Sequence, residues 1–262
     1  MPPENATPVY CLDTFSEKAK AKSFYIETLS VHLKNHAFVS DPHKHDHYLI
    51  LYITKGGGTH TIDFKTYTVR PGIFFVMTPG QVHSWKLDEG TDGFIIFFEN
   101  DFREFNTLIE PKEDTSLDLI VKEMYKEKDD KVLKAWLDVL LVKLSKYEPR
   151  SQPTFKIRKL EQLIEKNFLK LKKPSDYADL MNLSPAYLNN LCKKHLGKTL
   201  SDLINERVVL EAKRLFSYTD LTVAQVSHRL RFSEPSYFIR FFRKNTGITP
   251  ERFKENTIRP IQ

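Results

Sequence analysis

The sequence predicts an α+β multidomain protein, with a β-barrel in the N-terminal half and an all-α domain in the C-terminal half. Short segments rich in β-branched and aromatic residues occupy the region from about 40 to 98, separated by turn residues. The C-terminal half instead contains one helical motif twice. Charge divides the same way: residues 1–150 hold 19 Lys and Arg against 23 Asp and Glu, whereas residues 151–262 hold 21 against 11. The two halves are therefore different kinds of domain.

Six strands are predicted in the N-terminal half, because each segment is short and is bounded by glycine or proline turns. The segments are His47–Ile53, His60–Phe64, Tyr67–Val69, Ile73–Met77, His83–Leu87 and Phe94–Phe98. No helical period occurs between about 40 and 98. Many short strands with regular turns favour a sandwich or a barrel.

A set of histidines and one tryptophan share strand parity in this half, which predicts that they point to one face of the barrel. They are His43, His45, His47, His83 and Trp85. An interior that carries histidine and tryptophan suits a small molecule, so these five residues are the predicted ligand-binding site. The alternative is a barrel filled with side chains that binds nothing.

An amphipathic helix is predicted over Leu117–Tyr147, where apolar residues recur at intervals of three and four. Its apolar face either packs on its own barrel or pairs with a second subunit. The residues predicted for dimerisation are Leu133, Leu137, Leu140, Leu141 and Leu144. Two prolines and no apolar period mark Glu148–Thr154 as an interdomain linker.

The repeat in the C-terminal half pairs Leu183–Thr199 with Phe232–Thr249. Each copy predicts a helix that begins at a serine N-cap, Ser184 or Ser233, and ends at a glycine. Each has an apolar face with the spacing of a buried helix stripe, and the opposite face is polar or basic. The apolar residues are Tyr187, Leu188, Leu191 and Cys192 in the first copy, and Tyr237, Phe238, Phe241 and Phe242 in the second.

A short predicted helix precedes each copy, Pro174–Met181 before the first and Thr222–Leu230 before the second, and a longer one, Thr199–Phe216, joins them. Helix, tight turn and helix form a helix-turn-helix unit, whose second helix can enter a DNA groove. The excess of basic residues in this half supports binding to phosphate. Asn189, Asn190 and Arg240 are of the residue types that form paired hydrogen bonds with base edges.

This C-terminal region resembles the DNA-binding domain of AraC/XylS-type transcriptional regulators. The matching residues are Ser184, Tyr187, Leu188, Lys193, Gly197, Arg207, Ala212, Phe232, Tyr237, Phe238, Phe242, Lys244, Gly247, Thr249 and Pro250. The resemblance implies seven helices with two helix-turn-helix units that read adjacent major-groove segments. Two positions depart from the pattern: Arg231 stands where the family usually has glycine, and Ser227 where it usually has alanine.

The same resemblance implies which residues face the DNA. The groove-facing residues are Ala186, Asn189 and Asn190 in the first unit, with Glu234, Pro235, Ser236, Ile239 and Arg240 in the second. Phosphate contacts are expected from Lys193, Lys194, Arg243 and Lys244. The implied partners are double-stranded promoter DNA, a second copy of the chain, a small-molecule effector and RNA polymerase.

Two N-terminal patterns resemble the cupin barrel: PHKHDHYLILYITKGGG from Pro42, and PGIFFVMTPGQVH, which ends at His83. In metal-binding cupins these motifs supply three histidines and a glutamate. His43, His45 and His83 match the histidines, whereas Leu49 stands at the glutamate position, with His47 as a substitute by strand parity. We therefore expect no metal and no cofactor, with a metal-dependent cupin enzyme and a ligand-independent regulator as the alternatives.

The predicted domains are a cupin-like sensor barrel (1–100), a helical dimerisation segment (101–147), the linker (148–154) and the double helix-turn-helix domain (155–262). No apolar run has the length of a membrane span and no secretory leader is expected. Cys11 and Cys192 fall in different domains, so no disulfide framework is expected. The sequence thus predicts a cytoplasmic, dimeric transcriptional regulator that is not an enzyme, with activation and repression both left open.

Overall fold

The computed structural model describes residues 8–15, 24–36, 41–99, 107–111, 114–147 and 155–258. The chain divides into two compact units, Thr7–Arg150 and Ser151–Gln262. The predicted linker, 148–154, lies outside the described residues, as does much of 100–113. Among the described helices, none has the length and apolarity needed to cross a membrane.

The first unit is built from two five-stranded sheets, with strand orders β1-β3-β8-β5-β6 and β10-β7-β4-β9-β2. The strands are β1 Val9–Tyr10, β2 Phe24–Thr28, β3 His43–His45, β4 Tyr48–Lys55, β5 Gly58–Ile62, β6 Lys65–Val69, β7 Phe74–Met77, β8 Val82–Leu87, β9 Asp92–Phe98 and β10 Leu108–Ile109. All six predicted strands are confirmed, as β4 to β9. The sequence missed β1, β2, β3 and β10.

Four helices accompany these sheets in the described part of the first unit. They are α1 Leu12–Phe15, α2 Leu29–Asn35, α3 Thr115–Lys126 and α4 Asp130–Leu144, followed by a 3₁₀ turn at Ser145–Tyr147. The prediction of one helix over Leu117–Tyr147 was wrong, because the chain breaks between α3 and α4. Glu127 has extended backbone, and the Asp129 carboxylate accepts hydrogen bonds from the N–H groups of Lys131 and Val132, which starts a new helix.

Alternation along β4 separates two cores. Leu49, Leu51 and Ile53 point between the two sheets, toward residues such as Phe75 and Phe97. Ile50 and Tyr52 point to the opposite face of the second sheet, which α3 and α4 cover. Both faces of β4 are therefore buried.

The leucines predicted for dimerisation belong to this second core. Leu133, Leu137, Leu140, Leu141 and Leu144 are at most 6% exposed and pack with the residues of β4, β7 and β9. A side chain buried within its own chain offers no surface to another, so the assignment of a dimer contact to these five residues is corrected. The exposed face of α4 carries Val132, Val139 and Val142 instead.

The second unit consists of seven helices in its described part, as the resemblance implied. They are α5 Phe155–Asn167, α6 Pro174–Leu180, α7 Pro185–Leu196, α8 Leu200–Tyr218, α9 Val223–Arg229, α10 Pro235–Thr246 and α11 Pro250–Ile258. One continuous apolar core contains residues from α5 to α10, and α8 runs through it. This core fixes the orientation of α7 and α10 within the unit.

The two helix-turn-helix units share a turn that passes through the left-handed region, at Asn182 (φ 53°) and at Arg231 (φ 58°). Arg231 thus adopts the left-handed backbone that favours the glycine usual at this position of the family. The second turn is one residue longer, since Ser233 is inserted before the helix. Ser184 caps α7 as predicted, whereas the N-cap of α10 is Glu234, without a side-chain cap; the prediction for Ser233 was wrong.

Candidate nucleic-acid interface and histidine cluster

Helices α7 and α10 are built alike at both ends. Proline occupies the first position of each, at Pro185 and Pro235. An N–H at this position has no acceptor within the helix, so a proline, which has none, costs no hydrogen bond there. Each helix ends at a left-handed glycine, Gly197 (φ 68°) or Gly247 (φ 82°), whose N–H donates to the last turn. The repeat in sequence is thus a repeat in structure.

The buried face of each helix is narrower than predicted. Leu188, Cys192, Phe238 and Phe242 are fully buried, as expected. Tyr187 and Tyr237, which the apolar spacing placed in the core, are 44% and 54% exposed. The Tyr187 hydroxyl accepts a hydrogen bond from Lys156 Nζ at 3.1 Å, so this ring lies at the surface beside a cation. Both tyrosines extend the outer surface of their helices.

Most of the predicted DNA-facing residues are exposed. They are Ala186, Asn190, Lys193, Lys194, Glu234, Pro235, Ser236, Arg240, Arg243 and Lys244. The exceptions, Asn189 and Ile239, stand at equivalent positions of α7 and α10 and are half-buried. The Asn189 Oδ1 atom accepts a hydrogen bond from the backbone N–H of Leu200 at 3.1 Å.

The base contact predicted for Asn189 stays a prediction, which requires this hydrogen bond to be given up. Paired recognition of adenine needs both the carbonyl oxygen and the amide nitrogen of an asparagine side chain. In the free protein the oxygen caps the first turn of α8, where backbone N–H groups lack partners. Asn190, whose side chain makes no hydrogen bond within the described residues, is the asparagine that remains available to a base.

The exposed cations of the two helices are also unpaired within the described structure. Lys193 and Lys194 occupy the last turn of α7, and Arg243 and Lys244 the last turn of α10. Arg207 shows the opposite arrangement: its guanidinium pairs with Glu165 and Glu211, and lies 3.8 Å from the centre of the Phe168 ring. Arg207 thus joins α5 to α8 within the unit, while the cations of α7 and α10 are free for phosphate.

The first unit contains a cluster of buried histidines. His43 on β3 lies directly opposite His83 on β8, and His45 follows on the same face of β3. Six histidines in this unit are at most 3% exposed: His32, His43, His45, His47, His60 and His83. The shared face that strand parity predicted for β3 and β8 exists, and it is filled with imidazole rings.

Hydrogen bonds connect part of this cluster. His83 lies at its centre, with its Nε2 atom 3.0 Å from His45 Nε2 and its Nδ1 atom 3.0 Å from His60 Nε2. His43 Nδ1 is 2.7 Å from the backbone oxygen of Asp41, and His47 Nδ1 is 3.0 Å from an Asp46 carboxylate oxygen. His45, His83 and His60 therefore form a hydrogen-bonded chain of three imidazoles, while His43 and His47 are each anchored by an aspartate outside it.

Rings of other types surround the imidazoles. Trp85 lies 5.2 Å from His83 and 5.6 Å from His60, and Phe97 lies 4.6 Å from His47, measured between ring centres. Leu49, at the position where metal cupins carry glutamate, is fully buried. All five residues predicted to bind a ligand thus belong to one buried aromatic interior.

Sequence reasoning missed His60 and His32. His60 is paired in register with Trp85 across β5 and β8. Aligning β5 with β8 in the sequence would therefore have placed His60 on the same face as Trp85. His32 lies on α2, a helix of seven residues that the sequence did not predict, and its Nδ1 atom is 3.1 Å from the Tyr25 hydroxyl. No local pattern identifies His32.

Burial opposes protonation throughout the cluster. Desolvation is the largest reason that the pKa values of His45 and His83 lie well below 6.5, and neighbouring imidazoles lower them further. The pKa of His60 falls to about 3 for the same reasons. The histidines of this interior are therefore neutral at physiological pH.

Two findings concern what the interior is able to bind. Buried nitrogens without a hydrogen-bond partner among the described residues include His43 Nε2, His47 Nε2 and Trp85 Nε1. The ligand atoms of His43, His45 and His83 all lie within 4.8 Å of one another. His47, which strand parity offered as a substitute for the missing acid, is outside that group.

Comparison with known families assigns both units. Residues 23–145 match the model of the AraC-like ligand binding domain, and residues 177–256 match the model of a helix-turn-helix domain. The chain belongs to the AraC family of transcriptional regulators. The AraC-type resemblance and the fold class predicted from the sequence are confirmed.

Individual relatives are distant. The regulatory protein PocR of Salmonella typhimurium is 31% identical in a match that covers 30% of this chain. The match spans only 26% of PocR's own length. The uncharacterised regulator YfiF of Bacillus subtilis is 23% identical over 90% of this chain and 84% of its own length. A structure of ToxT from Vibrio cholerae is 12% identical over 89% of this chain and 98% of that one, with a TM-score of 0.44.

Proposed function

We propose that this AraC-family chain binds promoter DNA by placing α7 and α10 in two adjacent major-groove segments. The observation that carries this proposal is the pair of matched helices whose exposed polar ends are unpaired, in the half of the chain with the basic excess. Base contacts are assigned to the N-terminal and central residues of each helix, because those residues reach base edges in helix-turn-helix proteins. Phosphate contacts are assigned to the cations of the last turns.

The two helices read different sequences. At the positions nearest the helix starts, α7 presents Ala186 and Asn190, whereas α10 presents Glu234, Ser236 and Arg240. Asparagine favours adenine, arginine favours guanine and glutamate accepts a hydrogen bond from cytosine. The operator is therefore two unlike half-sequences, not a direct repeat of one.

The first unit acts as a sensor and not as an enzyme. Its interior binds a small ligand, and the chain works as a cytoplasmic homodimer through the exposed face of α4. RNA polymerase contacts α9, which stays accessible because the first helix of a helix-turn-helix unit crosses the DNA backbone without entering the groove. The residues that line a concave surface there are Leu221, Ala224, Gln225, His228 and Arg229.

Footprinting of the full chain on promoter DNA tests the interface. Protection should cover two neighbouring major-groove segments about 10 bp apart, on one side of the duplex. Arg240→Ala should weaken binding to the specific site by about 1–3 kcal/mol while leaving binding to random DNA nearly unchanged.

Lys244→Ala is the matched control, since it removes an exposed cation from the same helix. It should weaken binding to specific and random DNA alike and reduce the salt dependence by about one counterion. Equal losses on both DNAs for Arg240→Ala, or protection of a single groove segment, contradict the assignment.

A further inference from the structure

A lysine outside the two helix-turn-helix units reaches the first turn of α7. Lys156 is the second residue of α5, and its Nζ atom lies 3.1 Å from the Tyr187 hydroxyl and 4.8 Å from the centre of that ring. Both side chains are at the surface, and Tyr187 is 44% exposed. The contact therefore brings a positive charge from α5 to the exposed side of α7.

Helical spacing places Tyr187 on the side of α7 that carries the proposed DNA contacts. Asn190 follows Tyr187 by three residues and Lys194 follows it by seven, so the three side chains share one side of the helix. Asn190 is the asparagine that remains available to a base, and Lys194 is an exposed cation of the last turn. Lys156 thus adds a second cation to this side, at the opposite end of α7 from Lys194.

The chemistry of the pair suits an anion that has several oxygen acceptors. A lysine ammonium has three N–H groups, and the hydrogen bond to Tyr187 uses one of them. The tyrosine hydroxyl accepts that bond and still has its own hydrogen to donate. Lys156 forms no ion pair with a carboxylate within the described ranges, so no acid there neutralises its charge.

A DNA phosphate meets these requirements at the edge of a major groove. The two phosphodiester strands border the groove, and side chains along the edges of a recognition helix contact them. Lysine binds phosphate as a point charge, and tyrosine is among the side chains that donate to phosphate oxygens. The Tyr187 ring also restricts where the flexible side chain of Lys156 places its charge, because the ammonium is attracted to the ring.

The second unit has no equivalent lysine in the part of the chain that the structure describes. Tyr237 stands at the position of Tyr187 and is 54% exposed, but its ring neighbour is Phe232, at 5.7 Å between ring centres. Lys172 lies over the Phe232 ring, 5.2 Å from its centre, and donates to the backbone oxygen of Leu169. The contact between a lysine and the outer tyrosine therefore belongs to the first unit.

We propose that Lys156 and Tyr187 together bind one phosphate of the DNA backbone, at the edge of the major-groove segment that α7 enters. Lys156 is then a DNA-contacting residue that lies outside both helix-turn-helix units. The proposal rests on the DNA-binding function proposed above, to which it adds a contact from α5. It predicts that the two units hold the DNA backbone unequally.

The salt dependence of DNA binding by the full chain measures this contact. Lys156→Ala should weaken binding to specific and random DNA about three- to tenfold at low salt, and should lower the slope of log affinity against log salt by about 0.9. Its disadvantage should consequently shrink about threefold between about 50 and about 200 mM salt. Lys156→Arg keeps the charge and should retain the wild-type slope.

Lys166→Ala is the matched control for charge. It removes an exposed lysine of the same helix, about 15 Å farther along the helix axis, and should leave the salt slope unchanged. Urea unfolding of each variant separates a lost DNA contact from a destabilised helical unit, because destabilisation alone does not change the number of phosphates that are neutralised.

Uncharged methylphosphonate groups, placed one at a time along the operator found by footprinting, locate the phosphate. One such group, at the edge of the segment that α7 enters, should weaken binding of the wild type and leave binding of Lys156→Ala unaffected, because that variant has already lost the contact. Tyr187→Phe keeps the ring and removes the hydroxyl, so the same group should have an intermediate effect on this variant.

Three results overturn the proposal. One is a wild-type salt slope in Lys156→Ala, and another is an equal change of slope in Lys166→Ala. The third is a scan in which no methylphosphonate distinguishes the wild type from Lys156→Ala. Failure of the proposed DNA-binding function looks different, because the wild type itself then gives no footprint.

Discussion

Ser227 is a polar residue at a fully buried position of α9, in the second helix-turn-helix unit. Its Oγ atom has no hydrogen-bond partner among the described residues. The equivalent residue of the first unit is Ala178, which is also fully buried; Ala178 and Ser227 each accept a backbone hydrogen bond from the same place in the turn, from Leu183 and Phe232. The two units therefore offer an internal comparison of hydroxyl and methyl at one position.

Ser227→Ala should stabilise the second unit by about 1 kcal/mol, because it removes a buried hydroxyl that has no partner. The reciprocal change Ala178→Ser should destabilise it by about 1–3 kcal/mol. Urea unfolding of the full chain, followed by the signal of the helical unit, measures both. A loss of stability in Ser227→Ala means that the hydroxyl has a partner after all.

The hydrogen bond made by Asn189 could not be predicted from the sequence. Its type and its place on α7 favoured a base contact, yet its carboxamide oxygen caps α8 eleven residues later. That contact depends on the angle between two helices, which no local pattern specifies. Tyr187 and Tyr237 were misplaced for a related reason, since apolar spacing locates the centre of a buried face better than its edges.

At the scale of elements, the exposed face of α4 carries a stripe of apolar residues. Val132, Ala135, Val139 and Val142 recur at intervals of three and four, on the side of α4 opposite its buried leucines. The three valines are 41–53% exposed. Such a stripe is typical of a helix that pairs with another helix.

Val139→Glu should therefore weaken the proposed homodimer about tenfold or more, since it places a charge at the centre of the stripe. Lys134→Glu is the control: it changes the charge of an exposed residue on the same helix, but away from the stripe. Sedimentation equilibrium gives both dissociation constants. An unchanged dimer in Val139→Glu, or an equal effect of Lys134→Glu, excludes this face.

Long elements and repeated elements could be predicted from the sequence, whereas the shortest strands could not. Six strands and the helices α6 to α10 of the second unit were predictable because each has its own apolar pattern and bounding turn residues, whereas α5 and α11 were expected only from the family resemblance. β1, β3 and β10 contain two or three residues each, too few for alternation to be detected. The leucine pattern of α4 indicated an apolar face correctly, but such a pattern does not say whether a sheet or a second subunit covers it.

Across the whole molecule, titratable groups are distributed unevenly between the two units. The six histidines buried in the sensor unit contrast with His228 of the second unit, which is exposed on α9. His32 is the clearest case. It is enclosed by Phe15, Tyr25, His36 and Phe97, and burial is the largest reason that its pKa falls to about 3.

This depressed pKa makes the sensor unit sensitive to acid. Below pH 6.5 the unfolded chain binds a proton at His32 that the folded chain rejects, so unfolding is favoured increasingly as the pH falls from about 6.5 toward about 3. At pH 7.5 both states hold His32 neutral, and the residue then contributes no pH dependence. The sensor unit should consequently unfold before the helical unit as the solution is acidified.

His32→Phe tests this directly, because phenylalanine fills the site with a ring that does not titrate. Proton uptake on unfolding of the sensor unit at pH 5, taken from the slope of unfolding free energy against pH, should fall by about one proton. His228→Gln should leave that slope unchanged, since it alters an exposed histidine of the other unit. If His32→Phe retains the wild-type slope, His32 is protonated in the folded chain, and the acid sensitivity must then arise from the other histidines of the barrel interior.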